Sequence, residues 1–188
     1  MIVSNVWEEN LDCKGTFPSP RFAHTSVSHG TRIYIYGGQS IPLPPANTTE
    51  TDGFLELESQ CDLFCFDTES LTWTEIKYES DIVPPCRNSH TSVILDEHMI
   101  IYGGANSIDG PLDDLWEFNI STKAWKKIDC IGSRFPGARE MHAACIACNS
   151  GGNEMSFLMY IIGGRTLDGN ICQDVWVLNS GTHIAWCF

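Results

Sequence analysis

Three arginine–histidine pairs share one internal spacing: Arg21 with His24, Arg87 with His90, and Arg139 with His142. Imidazole can ligate a metal or carry a proton near neutral pH. A guanidinium offers a planar fork to carboxylates or phosphates. The histidines stand sixty-six and fifty-two residues apart, so each holds the same place in a different repeat. Equivalent places in an array are too far apart to share one small ion, so hydrogen bonding is the expected use of the histidines. For the arginines, anchoring of loops through carboxylate or carbonyl groups is the preferred use. Presentation of the forks to an acidic peptide is the alternative, and it makes Arg21, Arg87 and Arg139 candidate partner contacts.

Other reactive patterns are weaker. Nine cysteines are an odd count at irregular places, and several lie in strand-like runs where a thiol behaves as a small apolar residue. Cys145 and Cys148 form a single CxxC with no second copy, which is poor support for zinc or redox use. Gly-Gly occurs four times, but no P-loop lysine or helix start follows any pair, so phosphate cradling is not expected. No catalytic residue, metal or cofactor is assigned.

The elements that must position these residues are strands. Three glycine pairs, Gly37-Gly38, Gly103-Gly104 and Gly163-Gly164, each close a run of β-branched and aromatic residues. Each is followed by Asp and an aromatic strand (Asp62-Leu63-Phe64, Asp114-Leu115-Trp116, Asp174-Val175-Trp176), then by Trp73, Trp125 or Trp186. Arg32–Tyr36 reads as a buried strand, and Asp67-Thr68-Glu69-Ser70 as a turn between two more. No sustained 3.6-residue apolar period supports a helix. The fourth pair, Gly151-Gly152, belongs to a hairpin tip at 149–153 and not to the repeat.

A period above forty residues with four short strands per unit resembles the kelch repeat family, whose units are four-stranded β-propeller blades. The resemblance covers residues 6–186 and rests on three concordant copies. It implies an all-β chain of three four-stranded antiparallel blades, at 20–76, 86–128 and 138–188. It also implies that the six repeat glycines and the tryptophans are structural. Trp7 lies fourteen residues before Arg21, as Trp73 does before Arg87 and Trp125 before Arg139. Trp7 is therefore expected to end an orphan outer strand at 3–9 of a blade without its first three strands. Three blades fall short of the four to eight that close a propeller. The 1–188 chain is expected to be an incomplete ring, completed by further C-terminal blades or by a second copy.

Antiparallel strands send the strand 2–3 links and the inter-blade links to one face, and kelch propellers often bind partners there. The contact candidates are the residues just past each glycine pair: Gln39 and Ser40, Asn106 and Ser107, Arg165 and Thr166. The first such link carries an insertion at 39–61, proline-rich and then acidic, which is either a binding loop or a bystander. The resemblance implies a protein-interaction scaffold or adaptor whose partner is another protein or peptide. A kelch-fold metal-dependent oxidase or isomerase and a purely structural spacer are the alternatives.

The formal net charge is −13, from eleven Lys and Arg against twenty-four Asp and Glu. That balance supplies no basic stripe for nucleic acid and repels anionic membranes, but it accommodates a basic or neutral partner. No apolar run approaches a membrane span, and residues 1–9 lack the basic and apolar regions of a signal peptide. Reduced thiols in the cytoplasm are expected, with the nucleus as the alternative.

Overall fold

The computed structural model describes residue 7 and residues 12–41, 57–130, 134–149 and 156–179. Among the described residues every regular element is a strand. The first unit runs β1 (Lys14–Gly15), β2 (Thr25–His29), β3 (Arg32–Tyr36), β4 (Gln39–Ser40), β5 (Glu58–Ser59), β6 (Leu63–Asp67) and β7 (Thr72–Glu75). The second runs β8 (Thr91–Leu95), β9 (His98–Tyr102), β10 (Ala105–Asn106), β11 (Gly110–Pro111), β12 (Leu115–Asn119) and β13 (Ala124–Ile128). The third runs β14 (Ala143–Asn149), β15 (Ser156–Ile162) and β16 (Val175–Asn179).

Each unit folds as an antiparallel blade, to which β1 adds one parallel edge strand in the first. The sheet orders are β1-β7-β6-β3-β2, β13-β12-β9-β8 and β14-β15-β16. Registers repeat: Tyr36 faces Leu63 in blade one, as Tyr102 faces Leu115 in blade two and Ile162 faces Val175 in blade three. The innermost strands β2, β8 and β14 pack side by side, so consecutive blades are neighbours in a ring that does not close. The strand expected to end at Trp186 falls outside the described residues, as do all but Asn149 of the hairpin tip expected at 149–153 and the middle of the insertion, 42–56.

The chain before the first blade adds an element that the repeat ruler does not contain. Lys14–Gly15 pairs in parallel with β7, with Lys14 opposite Thr72 and Gly15 opposite Trp73. Lys14 N donates to Leu71 O and Thr16 N to Trp73 O, which covers an edge that would otherwise be open. The orphan strand at 3–9 lies outside the described residues except for Trp7, which is 99% exposed.

Apolar side chains stand on both faces of each sheet, so the core lies between blades. One cluster joins Val27, Tyr34, Tyr36, Leu63 and Cys65 of blade one to Met99, Ile101, Trp116, Phe118 and Trp125 of blade two. A second joins Val93, Ile100, Tyr102 and Leu115 of blade two to Met159 and Ile161 of blade three. Trp125 plugs the first gap, its ring centroid 5.0 Å from Tyr36 and 5.0 Å from Phe118. Trp73 holds the same place in blade one, where no described blade precedes it. It is only half-buried and packs on Phe66 at 4.8 Å.

This asymmetry gives a test. Trp125→Ala should cost about 3–5 kcal/mol of unfolding free energy, the range for emptying a large aromatic site. Trp73→Ala should cost less than half as much. Denaturant unfolding of the two variants beside the parent chain measures both.

Candidate binding face

Each repeat arginine turns back into its own blade. Arg87 is fully buried. Its Nη1 donates to Gly103 O at 2.9 Å and to Asp114 Oδ1 at 2.7 Å. Its Nη2 donates to Asp114 Oδ2 at 2.8 Å, and its Nε to Pro85 O at 3.1 Å. Arg21 does the same with Gly37 O and Asp62, and Arg139 with Gly163 O and Asp174. The forks are thus engaged inside the fold by bidentate carboxylates. Where strand three carries Trp, its Nε1 also donates to that Asp, from Trp116 at 2.6 Å and from Trp176 at 2.5 Å. In blade one Phe64 takes that place, and the Arg21 guanidinium lies 5.5 Å from its ring centroid.

The glycine pair stitches one blade to the next. Gly38 N donates to Arg87 O and Gly104 N to Arg139 O, both at 2.9 Å. Gly103 and Gly104 have φ of 60° and 89°, which favours glycine. A Cβ on Gly103 would stand 2.7 Å from Arg139 O, and one on Gly104 2.5 Å from Asn88 O. Close approach to the next blade at Gly103, and to the entry of its own blade at Gly104, therefore excludes any side chain here. Gly163 has only Cys172 O near its Cβ position, at 3.3 Å, because no described blade follows it. Nearer the axis a second set of bonds repeats: Ser89 N donates to Ala23 O and Met141 N to Ser89 O, each at 2.9 Å. Ala23, Ser89 and Met141 all adopt positive φ, from 54° to 56°.

The histidines bridge blades one pair at a time. His90 Nε2 shares a 2.7 Å hydrogen bond with Thr25 Oγ1, and His142 Nε2 a 2.8 Å bond with Thr91 Oγ1. Burial, then the neighbouring Arg87, lowers the His90 pKa to about 3; burial, then Arg139, lowers that of His142 to about 4. Both are therefore neutral at pH 7. Among the described residues no three His, Cys, Asp or Glu side chains group as metal ligands. The residue matching Thr25 and Thr91 in blade three is Ala143, which has no hydroxyl to offer.

The strand 2–3 links and the inter-blade links do meet on one face. Arg87 N donates to Gln60 O and Arg139 N to Leu112 O, both at 3.0 Å. The residue after each glycine pair is bridged to the residue after each arginine: Gln39 to Phe22, Ala105 to Asn88, Arg165 to Glu140. Of the post-glycine candidates, Ser40 is buried and Gln39 half-buried. Asn106 caps its own turn, accepting from Ile108 N and Asp109 N. Ser107 is exposed and Thr166 N donates to Asn170 O. Arg165 is partly exposed and held by Glu140 at 2.5 Å. Sequence reasoning missed the apolar side chains on these links. Ile108 is 90% exposed, Leu167 73% and Ile171 77%, and Phe22, Ile41 and Met141 are also exposed. Leu167 Cδ1 would stand 3.1 Å from a Cβ on Gly110, so the links of blades two and three touch. The only signal in the sequence was their position three to seven residues past the glycine pair, except Phe22 and Met141, which follow the arginine.

Antiparallel blades joined side by side through a repeated Arg–Asp–Gly-Gly bracket define a propeller-type repeat protein. The family model described as the KLHDC2/KLHL20/DRC7 Kelch-repeats domain matches residues 1–187, and the chain belongs to that kelch-repeat family. Kelch domain-containing protein 3 of Homo sapiens is 29% identical over 170 residues, 86% of this chain and 40% of that protein. Host cell factor 2 of Homo sapiens is 30% identical over 159 residues, 80% of this chain and 18% of that protein. The chain thus spans less than half the length of these relatives. A solved structure, described as the structure of YjhT, superposes with a TM-score of 0.59 at 15% identity, covering 87% of this chain and 50% of that one; it shares the fold.

The bracket is driest in the middle blade. The side chain of Asp114 is 13% exposed, against 27% for Asp62 and 42% for Asp174. Asp114→Asn should therefore destabilise by about 3–5 kcal/mol, the range for breaking a buried pair, and Asp174→Asn by clearly less. Burial opposes the charge on Asp114, but Arg87 and the Trp116 N–H hold its carboxyl below the usual range. The lowered histidines set the pH dependence. Unfolded histidine takes up a proton near pH 6.5 while folded His90 and His142 do not. Their contribution is complete above about pH 6.5 and shrinks as pH falls toward 4 and then 3. The Asp114 contribution is lost only lower, below the ordinary carboxylate range. Chemical denaturation at pH 7.5, 6 and 5 should show stability falling across the series, and His90→Gln should flatten the fall.

Proposed function

We propose that the chain is a protein-interaction module that binds another protein or peptide through the face carrying the strand 2–3 and inter-blade links. The observation that carries this reading is the set of exposed apolar side chains raised on three neighbouring links, Ile41, Ile108, Leu167 and Ile171 among them. The scaffold beneath them is committed to its own hydrogen bonds, so the side chains are presented and not packed. Acidic Asp109 and Asp168 stand beside Ile108 and Leu167, and the chain carries a formal charge of −13. A partner with apolar anchors and a basic or neutral surround fits that face. Ser107, Gln39, Arg165 and Thr166 form the polar part of the same surface. An adaptor role in the cytoplasm or nucleus accords with this reading. No helix among the described residues is long and apolar enough to cross a membrane.

A second contact is supported by blade three. Ile162, Val175 and Val177 are exposed, whereas their counterparts in blade two, Tyr102, Leu115 and Glu117, are buried by the next blade. That face takes a further kelch blade, supplied by additional chain or by a second copy. The relatives' greater length favours additional chain.

Affinity capture from cell extract, read by mass spectrometry, tests the binding face. A partner held by the parent chain should be lost from the combined variant Ile108→Asp with Leu167→Asp, while the unfolding midpoint stays within about 2 °C, as for surface changes. Partners retained equally by both proteins would remove this face from consideration.

A further inference from the structure

We propose that Cys61 and Cys86 are a peroxide-responsive pair that forms a reversible disulfide across the junction of blades one and two. Both are free thiols here. Cys61 directly precedes Asp62, the carboxylate that grips Arg21, and Cys86 directly precedes Arg87. The bond from Arg87 N to Gln60 O, 3.0 Å, brings the two chain segments together, and Cys61 and Cys86 flank it. Each thiol shifts the ionisation of the other. The Tyr78 hydroxyl donates to Cys61 O at 2.6 Å and fixes the backbone on that side. One junction further on the same backbone bond recurs, from Arg139 N to Leu112 O at 3.0 Å. There the flanking residues are Asp113 and Ala138. The paired thiols are therefore a property of one junction and not of the repeat.

The pair is open to a small oxidant on the Cys61 side, and Cys86 is half-buried. Cys61 is exposed and lines a cleft of about 290 Å³ with Asp62, Glu75, Ile76, Lys77 and Tyr78. Cys65, four residues on, is buried inside the sheet. The surroundings also divide the roles. The hydrogen bond from Cys61, helped by Arg87 and opposed by burial and Asp62, lowers the Cys86 thiol to about 7. The same hydrogen bond, with burial, pushes the Cys61 thiol up. Cys86 is thus the more readily ionised of the two thiols.

The chemistry balances with hydrogen peroxide as oxidant. The Cys86 thiolate attacks one peroxide oxygen; an S–O bond forms, the O–O bond breaks, and the departing hydroxide takes a proton and leaves as water. The Cys61 sulfur, giving up its proton, then attacks the Cys86 sulfenic acid. The S–S bond forms and the S–O bond breaks, releasing a second water. Two thiols are oxidised to one disulfide and one peroxide is reduced to two waters. A small thiol of the glutathione class reverses the bridge by exchange, the usual behaviour of a transient disulfide in a reducing compartment.

Peptide mapping of the full chain tests the pair. The reduced protein is exposed to a small excess of hydrogen peroxide, capped with an alkylating agent and cut with trypsin. Cleavage after Lys77 separates Cys86 from Cys61 and Cys65. The expected product is one linked peptide pair, with fragmentation placing the bridge on Cys61, and with reversal by dithiothreitol. In Cys61→Ser the reaction should stop at a sulfenic acid on Cys86, captured by dimedone. The proposal is overturned if Cys86 stays reduced while Cys13 or Cys172 is oxidised first, or if the bridge joins Cys65.

Discussion

A guanidinium taken out of water must find acceptors for its donors, and this requirement organises every blade. Arg87 meets it by reaching three separate stretches of chain: Pro85 before the blade, Gly103 at the turn after β9, and Asp114 at the head of β12. The buried charge is tolerated because the carboxylate is bidentate and further donors complete it. A single side chain thereby fixes where the inter-blade link arrives and where the strand 2–3 link leaves. The loops of the candidate binding face rise from anchors that are already saturated.

The bracket also explains how blades assemble. The arginine that closes its own blade gives its carbonyl to the glycine pair of the blade before it. Apolar packing supplies attraction between neighbouring sheets without direction, while the glycine, histidine and positive-φ bonds supply register. Blade two, flanked on both sides, holds the most buried ion pair and the most buried tryptophan of the repeat among the described residues. Blades one and three keep the same parts with one side less covered. The increasing exposure from Asp114 to Asp62 to Asp174 records that position in the array.

Much of this was legible in the sequence because a repeat writes the same constraint three times. The strand Arg32–Tyr36 is read with its observed bounds, and the glycine pairs mark a turn where a Cβ has no room. Other features were hidden for physical reasons. Arg and Asp are separate columns of the repeat, 41, 27 and 35 residues apart, and spacing alone does not reveal that these columns meet. Lys14–Gly15 carries no strand pattern; it is a strand only because β7 offers it an edge. Ile108 and Leu167 are single apolar residues inside turns, with no period to announce them. Cys61 and Cys86 become neighbours only when one blade stacks on the next. Strand alternation puts the post-glycine residues at the ends of the strand 2–3 links, but burial of Ser40 and capping by Asn106 depend on loop geometry that alternation does not contain.

Native-state hydrogen exchange on Asp114→Asn addresses the bracket most directly. If the Arg87–Asp114 pair holds both its own loop and the seam to blade one, the amides of Gly38, Arg87, Gly103 and Leu112 should lose protection together, while Ile100 and Ile101 in the middle of β9 keep theirs. Unchanged protection at Gly38 and Arg87 would contradict the account, because the seam would then stand without the bracket.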